Sequence, residues 1–251
     1  MPTRIDATIQ ARLGSSRMPG KVLLPVAGRP LLEWQVRRLQ QSRLIDRIIV
    51  ATTDRPEDDA IVTLAESLGA CAFRGSEDDV LGRVAGALRA FDVDVHVECH
   101  GDNAACDAML FDSIIGLYLK VRDSFDYVTT ARKTTFPPGS NVTVYAASVL
   151  LRAEAEWDGV RLREHVGTHI YQRPDLFRVL NVEAPDALRF PHMHFEVDTE
   201  EDYAVICRLY EHFVPDNPLF TLTEAIAFAQ ATGVTEANRG VQRRWRTYRE
   251  D

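Results

Sequence analysis

Residues 4–100 alternate two hydrophobic periods, and that alternation constrains the fold more than any other feature of the chain. "RIDATIQA" and "DRIIVATT" are short, β-branched runs of the kind found in buried parallel strands. Between them, "PLLEWQVRRLQQSRLI" places Leu31, Leu32, Val36 and Leu39 at helical spacing, with Pro30 suited to the first turn. The pattern continues with a helix in "PEDDAIVTLAESLG", a strand in "ACAF", a helix in "SEDDVLGRVAGALRAF" and a strand in "DVDVHVEC". Strand–helix–strand alternation with short connections predicts an α/β fold, a doubly wound and mainly parallel sheet with right-handed crossovers. Ligands in such sheets bind beyond the C-terminal strand ends, where strand order switches.

The second half is less regular. It reads as a helix in "DAMLFDSIIGLYLKV", a strand in "FDYVTTA", a loop at Pro137, Pro138 and Gly139, and a strand running into a helix in "VTVYAASVLLRAEAEW". "LREHVGTHIYQ" is read as helical, "FRVLNVEA" and "HMHFEVD" as strands, and "TEEDYAVICRLYEHF" and "TLTEAIAFAQATG" as helices. Without repeats or a linker, the chain is expected to form a single domain, with an insertion near residues 132–175 and a basic surface arm over 238–251.

The net charge of −8 argues against nucleic acid or an anionic membrane as partner. Apolar runs fall short of the roughly 18 residues of a membrane span, and "MPTRIDATIQAR" has no signal core, so a cytoplasmic protein is expected. Cys71, Cys99, Cys106 and Cys207 fit neither a disulfide framework nor a zinc site.

Against that acidic background, the stretch from Ala7 to Leu32 carries Arg12, Arg17, Lys21 and Arg29 and no acidic residue. Ala11, Gly14, Ser15 and Ser16 lie among the first of these, where a strand hands over to a helix. Backbone amides and hydroxyls there can cradle an anion, and three cations in one loop match a triphosphate better than a single phosphate. The spacing from Gly14 to Lys21 is not that of the GxxxxGK[ST] phosphate loop, and GxGxxG is absent. Asp102 and Asp198 each close a strand-like segment. Two such aspartates with a polycationic loop suggest a Mg²⁺ site, because magnesium takes one or two carboxylates together with phosphate oxygens. Asp58, Asp59, Asp78 and Asp79 fall in first helical turns, where the helix dipole explains an acid, and Asp202 is read as structural. Asp79 is also placed to hold Arg83.

"IQARLGSSRMPGKVLLPVAGRPLLEW" resembles the first motif of the cytidylyltransferases that make CMP-activated sugars, including 3-deoxy-manno-octulosonate and acylneuraminate cytidylyltransferases. The spore coat polysaccharide branch looks nearest. "IIVATTDRPEDD", "FRGSEDDVLGR", "HGDN", "FPPGSN", "REHV" and "EVDTEEDY" follow in the family's order. The resemblance implies a nucleotide-diphospho-sugar transferase-like fold and transfer of CMP from CTP to an acceptor with release of pyrophosphate. It implies Mg²⁺ on Asp102 and Asp198, and catalytic roles for Arg12, Arg17, Lys21 and Asp102. Arg83, Ala51, Thr52, Gly75, Ser76 and His100 would complete the nucleotide site. The acceptor, an acidic sugar by this resemblance, is expected to meet Lys133, Asn141, Arg163, Glu164 and His165. A homodimer is implied too, with Phe136, Trp157 and Tyr171 in the segment crossing to the partner. The branch usually shows threonine before Gly-Asp and Cys-Pro after it. Here His100 and Asn103-Ala104 stand at those places, which leaves open a phosphonate or phosphate acceptor, or a non-catalytic nucleotide-binding protein. A glycosyltransferase of similar architecture would not need so cationic a first loop. His165 and His169 lie four apart, but no third ligand at matching spacing supports zinc.

Overall fold

The computed structural model describes residues 3–15, 17–156, 163 and 166–243. Its central feature is a seven-stranded sheet in the order β5-β4-β1-β6-β8-β7-β9. The strands are β1 (Ile5–Gln10), β4 (Arg47–Thr53), β5 (Cys71–Gly75), β6 (Val95–His100), β7 (Tyr127–Thr129), β8 (Thr143–Ala146) and β9 (Val179–Asn181). The pairs β5–β4, β4–β1, β1–β6 and β7–β9 are parallel, whereas β8 runs antiparallel to both its neighbours. A two-stranded ribbon, β2 (Pro25–Val26) with β3 (Arg29–Pro30), leads into the first helix.

The helices are α1 (Leu31–Leu39), α2 (Asp59–Ser67), α3 (Val80–Ala90), α4 (Ala108–Val121), α5 (Ala147–Glu156), α6 (Thr168–Tyr171), α7 (Glu200–Phe213) and α8 (Leu222–Thr232). They cover both faces of the sheet. Along β4, Ile48 and Val50 pack in the core with α1, α2, α4, α7 and α8, while Ile49 and Ala51 join the core with α3 and α5. This is the two-residue period of a strand buried on both sides. Asp79 caps α3 through the Gly82 N–H at 2.8 Å, and Asp107 caps α4. Thr199 with Asp202, and Thr221 with Glu224, form capping boxes on α7 and α8.

β1 has β4 on one side and β6 on the other, so strand order switches between β1 and β6. Gln10 and His100, register partners at their C-terminal ends, mark the mouth of that switch. The first loop leaves β1 there.

Several local readings are corrected. "HMHFEVD" forms no strand. Its one sheet-like pairing is an antiparallel bridge of Glu196 to Asn103, and its amides at Phe195 and Val197 donate to Pro138 O and Asp102 O. Residues 193–198 are buried throughout, so their apolar run reflects burial among loops rather than sheet membership. Gly139, at φ +97°, makes this possible, because a Cβ there would lie 2.2 Å from the Phe195 carbonyl carbon. In "LREHVGTHIYQ" the described helix is confined to α6. Within 132–175, residues Thr143–Ala146 belong to the main sheet. Phe136, expected at a partner surface, is buried in the core, and the Tyr171 hydroxyl contacts Thr168 Oγ1. Ser16, Trp157, Glu164, His165 and the arm beyond residue 243 lie outside the described residues. No helix among the described residues is long and apolar enough to cross a membrane.

Candidate active site

The crevice begins with a tethered loop. The Ala11 N–H donates to Ala51 O, the Leu13 N–H to Asp58 Oδ1 at 2.9 Å, and the Gly20 N–H back to Leu13 O. Asp58 also accepts from Thr52 Oγ1 and from both the amide and the hydroxyl of Thr53. This buried carboxylate therefore fastens the loop to the end of β4, a fuller explanation than the helix dipole. A short 3₁₀ turn over Lys21–Leu23 then directs Lys21 inward.

Lys21 Nζ lies 2.8 Å from Asp198 Oδ1, 2.8 Å from Val197 O and 3.5 Å from Asp102 Oδ2. Arg17 Nη1 holds the other Asp198 oxygen at 2.7 Å. Burial opposes the Lys21 charge, but Asp102 and Asp198 outweigh it and raise the pKa. Burial likewise opposes the Asp102 charge, yet Lys21, His100 and Arg17 bring its pKa below the usual value. Asp102 follows β6 through Gly101, where a Cβ would lie 2.5 Å from the Gln10 carbonyl oxygen. Asp198 ends the extended segment described above. The two aspartates thus arrive by different routes, not from two parallel strands.

Arg12 and Arg83 form a second pair. Arg12 Nη1 donates to Glu77 O at 2.9 Å, and Arg83 Nη1 to Ser76 O at 2.5 Å and Glu77 O at 3.5 Å. Among the described residues neither is ion-paired with a carboxylate, and Arg83 Nε has no hydrogen-bond partner. Burial and the nearby Arg12 charge push the Arg83 pKa down to about 10. Asp79 does not hold Arg83 as its spacing suggested. It binds Arg163 through two contacts of 2.8 and 2.6 Å.

A crevice of about 210 Å³ collects Ala11, Arg12, Ser15, Arg17, Lys21, Arg83, His100 and Asp102, together with Gln10 and Val22. Ala51, Thr52, Gly75, Ser76 and Gly14 do not line it. Thr52 is turned onto Asp58, the Ser76 hydroxyl accepts from the Asp79 amide, and Gly14 lies against the Glu77 carboxylate. The three described acceptor candidates are not gathered there. Lys133 pairs with Glu183 at an exposed site, Arg163 binds Asp79 and Glu154, and Asn141 is buried, its carbonyl accepting from Asn103 Nδ2. Glu98 escaped the reading of the sequence. It is buried beneath the crevice, where it accepts from Gln10 and the Tyr145 hydroxyl, with His100 Nε2 at 3.3 Å. An acid in the apolar strand "VHVEC" was its only signal.

Two carboxylates converging on one ammonium supply oxygen donors of the kind Mg²⁺ prefers, and Arg12 and Arg83 on the same crevice suit the phosphates that would share its coordination. The donor set therefore fits a magnesium–polyphosphate group.

The cytidylyltransferase family model matches residues 7–239. An uncharacterised protein of Methanocaldococcus jannaschii is 39% identical over 210 residues, 84% of each chain. The spore coat polysaccharide biosynthesis protein SpsF of Bacillus subtilis is 35% identical, over 81% of this chain and 85% of that one. A 3-deoxy-manno-octulosonate cytidylyltransferase of Synechococcus elongatus is 39% identical over 118 residues, 46% of this chain and 47% of its own. The fold is that of a solved cytidylyltransferase from Leptospira borgpetersenii, with a TM-score of 0.88 at 24% identity, covering 96% of this chain and all of the other. With a cationic first loop at the strand switch and a match spanning nearly the whole chain, this protein belongs to the cytidylyltransferase family and is a nucleotidyltransferase.

Proposed function

We propose that this cytidylyltransferase moves CMP from CTP to a hydroxyl of an acidic sugar used in surface polysaccharide, releasing pyrophosphate. The observation that carries the reading is Lys21 Nζ between Asp102 and Asp198, on one crevice with Arg12 and Arg83, which hold only backbone carbonyls among the described residues.

An acceptor oxygen attacks the α-phosphorus, and the bond to the bridging oxygen of the leaving pyrophosphate breaks. Such transfer depends on positioning and charge neutralisation rather than covalent help from the protein. Arg12 and Arg83, whose hydrogen bonds among the described residues go to backbone carbonyls, attract the incoming triphosphate. Lys21 and Arg17 hold the aspartates apart and oriented beforehand, then exchange carboxylate oxygens for phosphate oxygens as charge develops on pyrophosphate. Asp102 and Asp198 would hold Mg²⁺, which when bound polarises the α-phosphate and lowers the pKa of the attacking hydroxyl. Ala11, Gly14, Ser15 and Ser16 keep their phosphate-side assignment in this reading, and Ala51, Thr52, Gly75, Ser76 and His100 their nucleoside-side assignment. Lys133, Asn141, Arg163, Glu164 and His165 keep their acceptor-side assignment in this reading, and the enzyme works as a homodimer.

The test is pyrophosphate release from CTP and Mg²⁺ across a panel of acidic sugars, phosphonates and phosphate esters. Release that requires an acidic sugar is expected. Turnover only with a phosphonate or phosphate ester would replace the acceptor, and no CTP-dependent release with any of them would overturn the reading. A monomeric mass in solution at micromolar concentration would remove the dimer.

A further inference from the structure

Asp198 is one of the two carboxylates read above as a magnesium ligand, and its backbone is held from behind. The Asp198 and Thr199 N–H groups both donate to Asp202 Oδ2 at 3.1 Å. Asp202 is fully buried in the first turn of α7. Its opposite side faces the end of the described chain. Arg243 Nη1 meets Oδ2 at 2.8 Å and Nη2 meets Oδ1 at 2.7 Å, while Asn238 Nδ2 donates to Oδ1 at 2.8 Å. Arg243 also lies 3.3 Å from Glu196 Oε1, two residues before Asp198. Its side chain is wholly inaccessible to solvent, so a residue from a basic tail is spent inside the protein, between two buried acids.

We infer that Arg243 is a positioning residue for nucleotidyl transfer, fixing Asp202 so that the Asp198 carboxylate is presented to the metal and to Lys21. Without Arg243, Asp202 would be a buried carboxylate missing its cation. It would turn away from its present position, and the Asp198 amide would lose its acceptor. The family model's match ends at residue 239, before Arg243. The inference rests on the proposed metal role of Asp198.

The test compares the full chain with Arg243→Ala, Arg243→Lys and Asp198→Asn. Two readouts are needed: Mg²⁺-dependent CTP binding by calorimetry without acceptor, and the Mg²⁺ concentration giving half-maximal turnover at saturating CTP. Loss of a residue supporting a metal ligand typically weakens metal affinity about 10- to 100-fold, so Arg243→Ala is expected to raise both Mg²⁺ midpoints by at least about tenfold. Arg243→Lys should fall between, about threefold above the unaltered chain, because one ammonium cannot replace both Nη contacts. A purely structural role would lower thermal stability and leave the midpoints in place, and that result overturns the inference. If Arg243→Ala does not fold, Arg243→Lys decides alone, with unchanged midpoints as the overturning result. Should Asp198→Asn also leave them unchanged, the metal role of Asp198 fails. A shift in Asp198→Asn without one in the Arg243 variants removes only the role of Arg243.

Discussion

Lys21 Nζ and Asp198 Oδ1 lie 2.8 Å apart although 177 positions separate them in the chain. The contact joins the first loop, whose Lys21 lines the crevice with Arg12 and Arg83, to the segment ahead of α7. Lys21→Ala is expected to remove about 2–4 kcal/mol of transition-state stabilisation, lowering kcat/KM roughly 30- to 900-fold. Steady-state kinetics at saturating Mg²⁺ checks this. An unchanged kcat/KM removes Lys21 from the chemistry.

Arg83 presents the opposite balance. It is buried beside Arg12 and, among the described residues, in ion-pair contact with no carboxylate, and burial and Arg12 outweigh the more distant Asp58, Asp79 and Glu77, so it strains the empty protein while favouring an anion. Arg83→Met should stabilise the ligand-free protein by about 1 kcal/mol and still weaken CTP binding at least about tenfold. Thermal unfolding and calorimetry with CTP measure the two effects. A destabilised variant that binds CTP normally would contradict the assignment.

Asp58 anchors the loop without entering the crevice. Asp58→Ala leaves the Leu13 and Thr53 amides without their acceptor, an expected loss of about 3 kcal/mol in stability. The same variant should raise the KM for CTP through a loosened loop. Denaturant unfolding and kinetics on the folded fraction test both effects.

Gly139 is where two backbones touch. Gly139→Ala would need to displace residues 195–196, next to the Asp198 segment, and is expected to cost at least about 4 kcal/mol or to prevent folding. A soluble variant with native stability and activity would show that the segment can move aside.

Stability should fall in mild acid through two buried histidines. Burial, with a contribution from His100, depresses the His96 pKa to about 3, and burial with Arg163 depresses that of His169 to about 4. Below the unfolded value of about 6.5, the unfolded chain binds protons that the folded one refuses. This stability is fully present above pH 6.5 and is lost as pH falls, at about 1.4 kcal/mol per pH unit for each histidine, until the folded pKa is reached. His96→Gln should flatten the dependence between pH 6 and 4.5 by one such increment. Denaturant unfolding at several pH values would show an unchanged slope if His96 does not take part.

What was legible in the sequence was short-range. The period of "DRIIVATT" and "PLLEWQVRRL", the acids in the first helical turns, and the charge of the first loop depend on neighbours within about one or two helical turns. These sufficed for the parallel half of the sheet and for the loop at its switch point. Family motifs carried the rest of the candidate list. Tertiary structure alone decided the pairings between distant segments: Lys21 with Asp198, Asp79 with Arg163 instead of Arg83, Asp202 with Arg243, and Glu98 under His100. Spacing along the chain cannot predict such partners. An ion pair forms wherever the packed core brings opposite charges together out of water, and that position depends on every chain reversal between them.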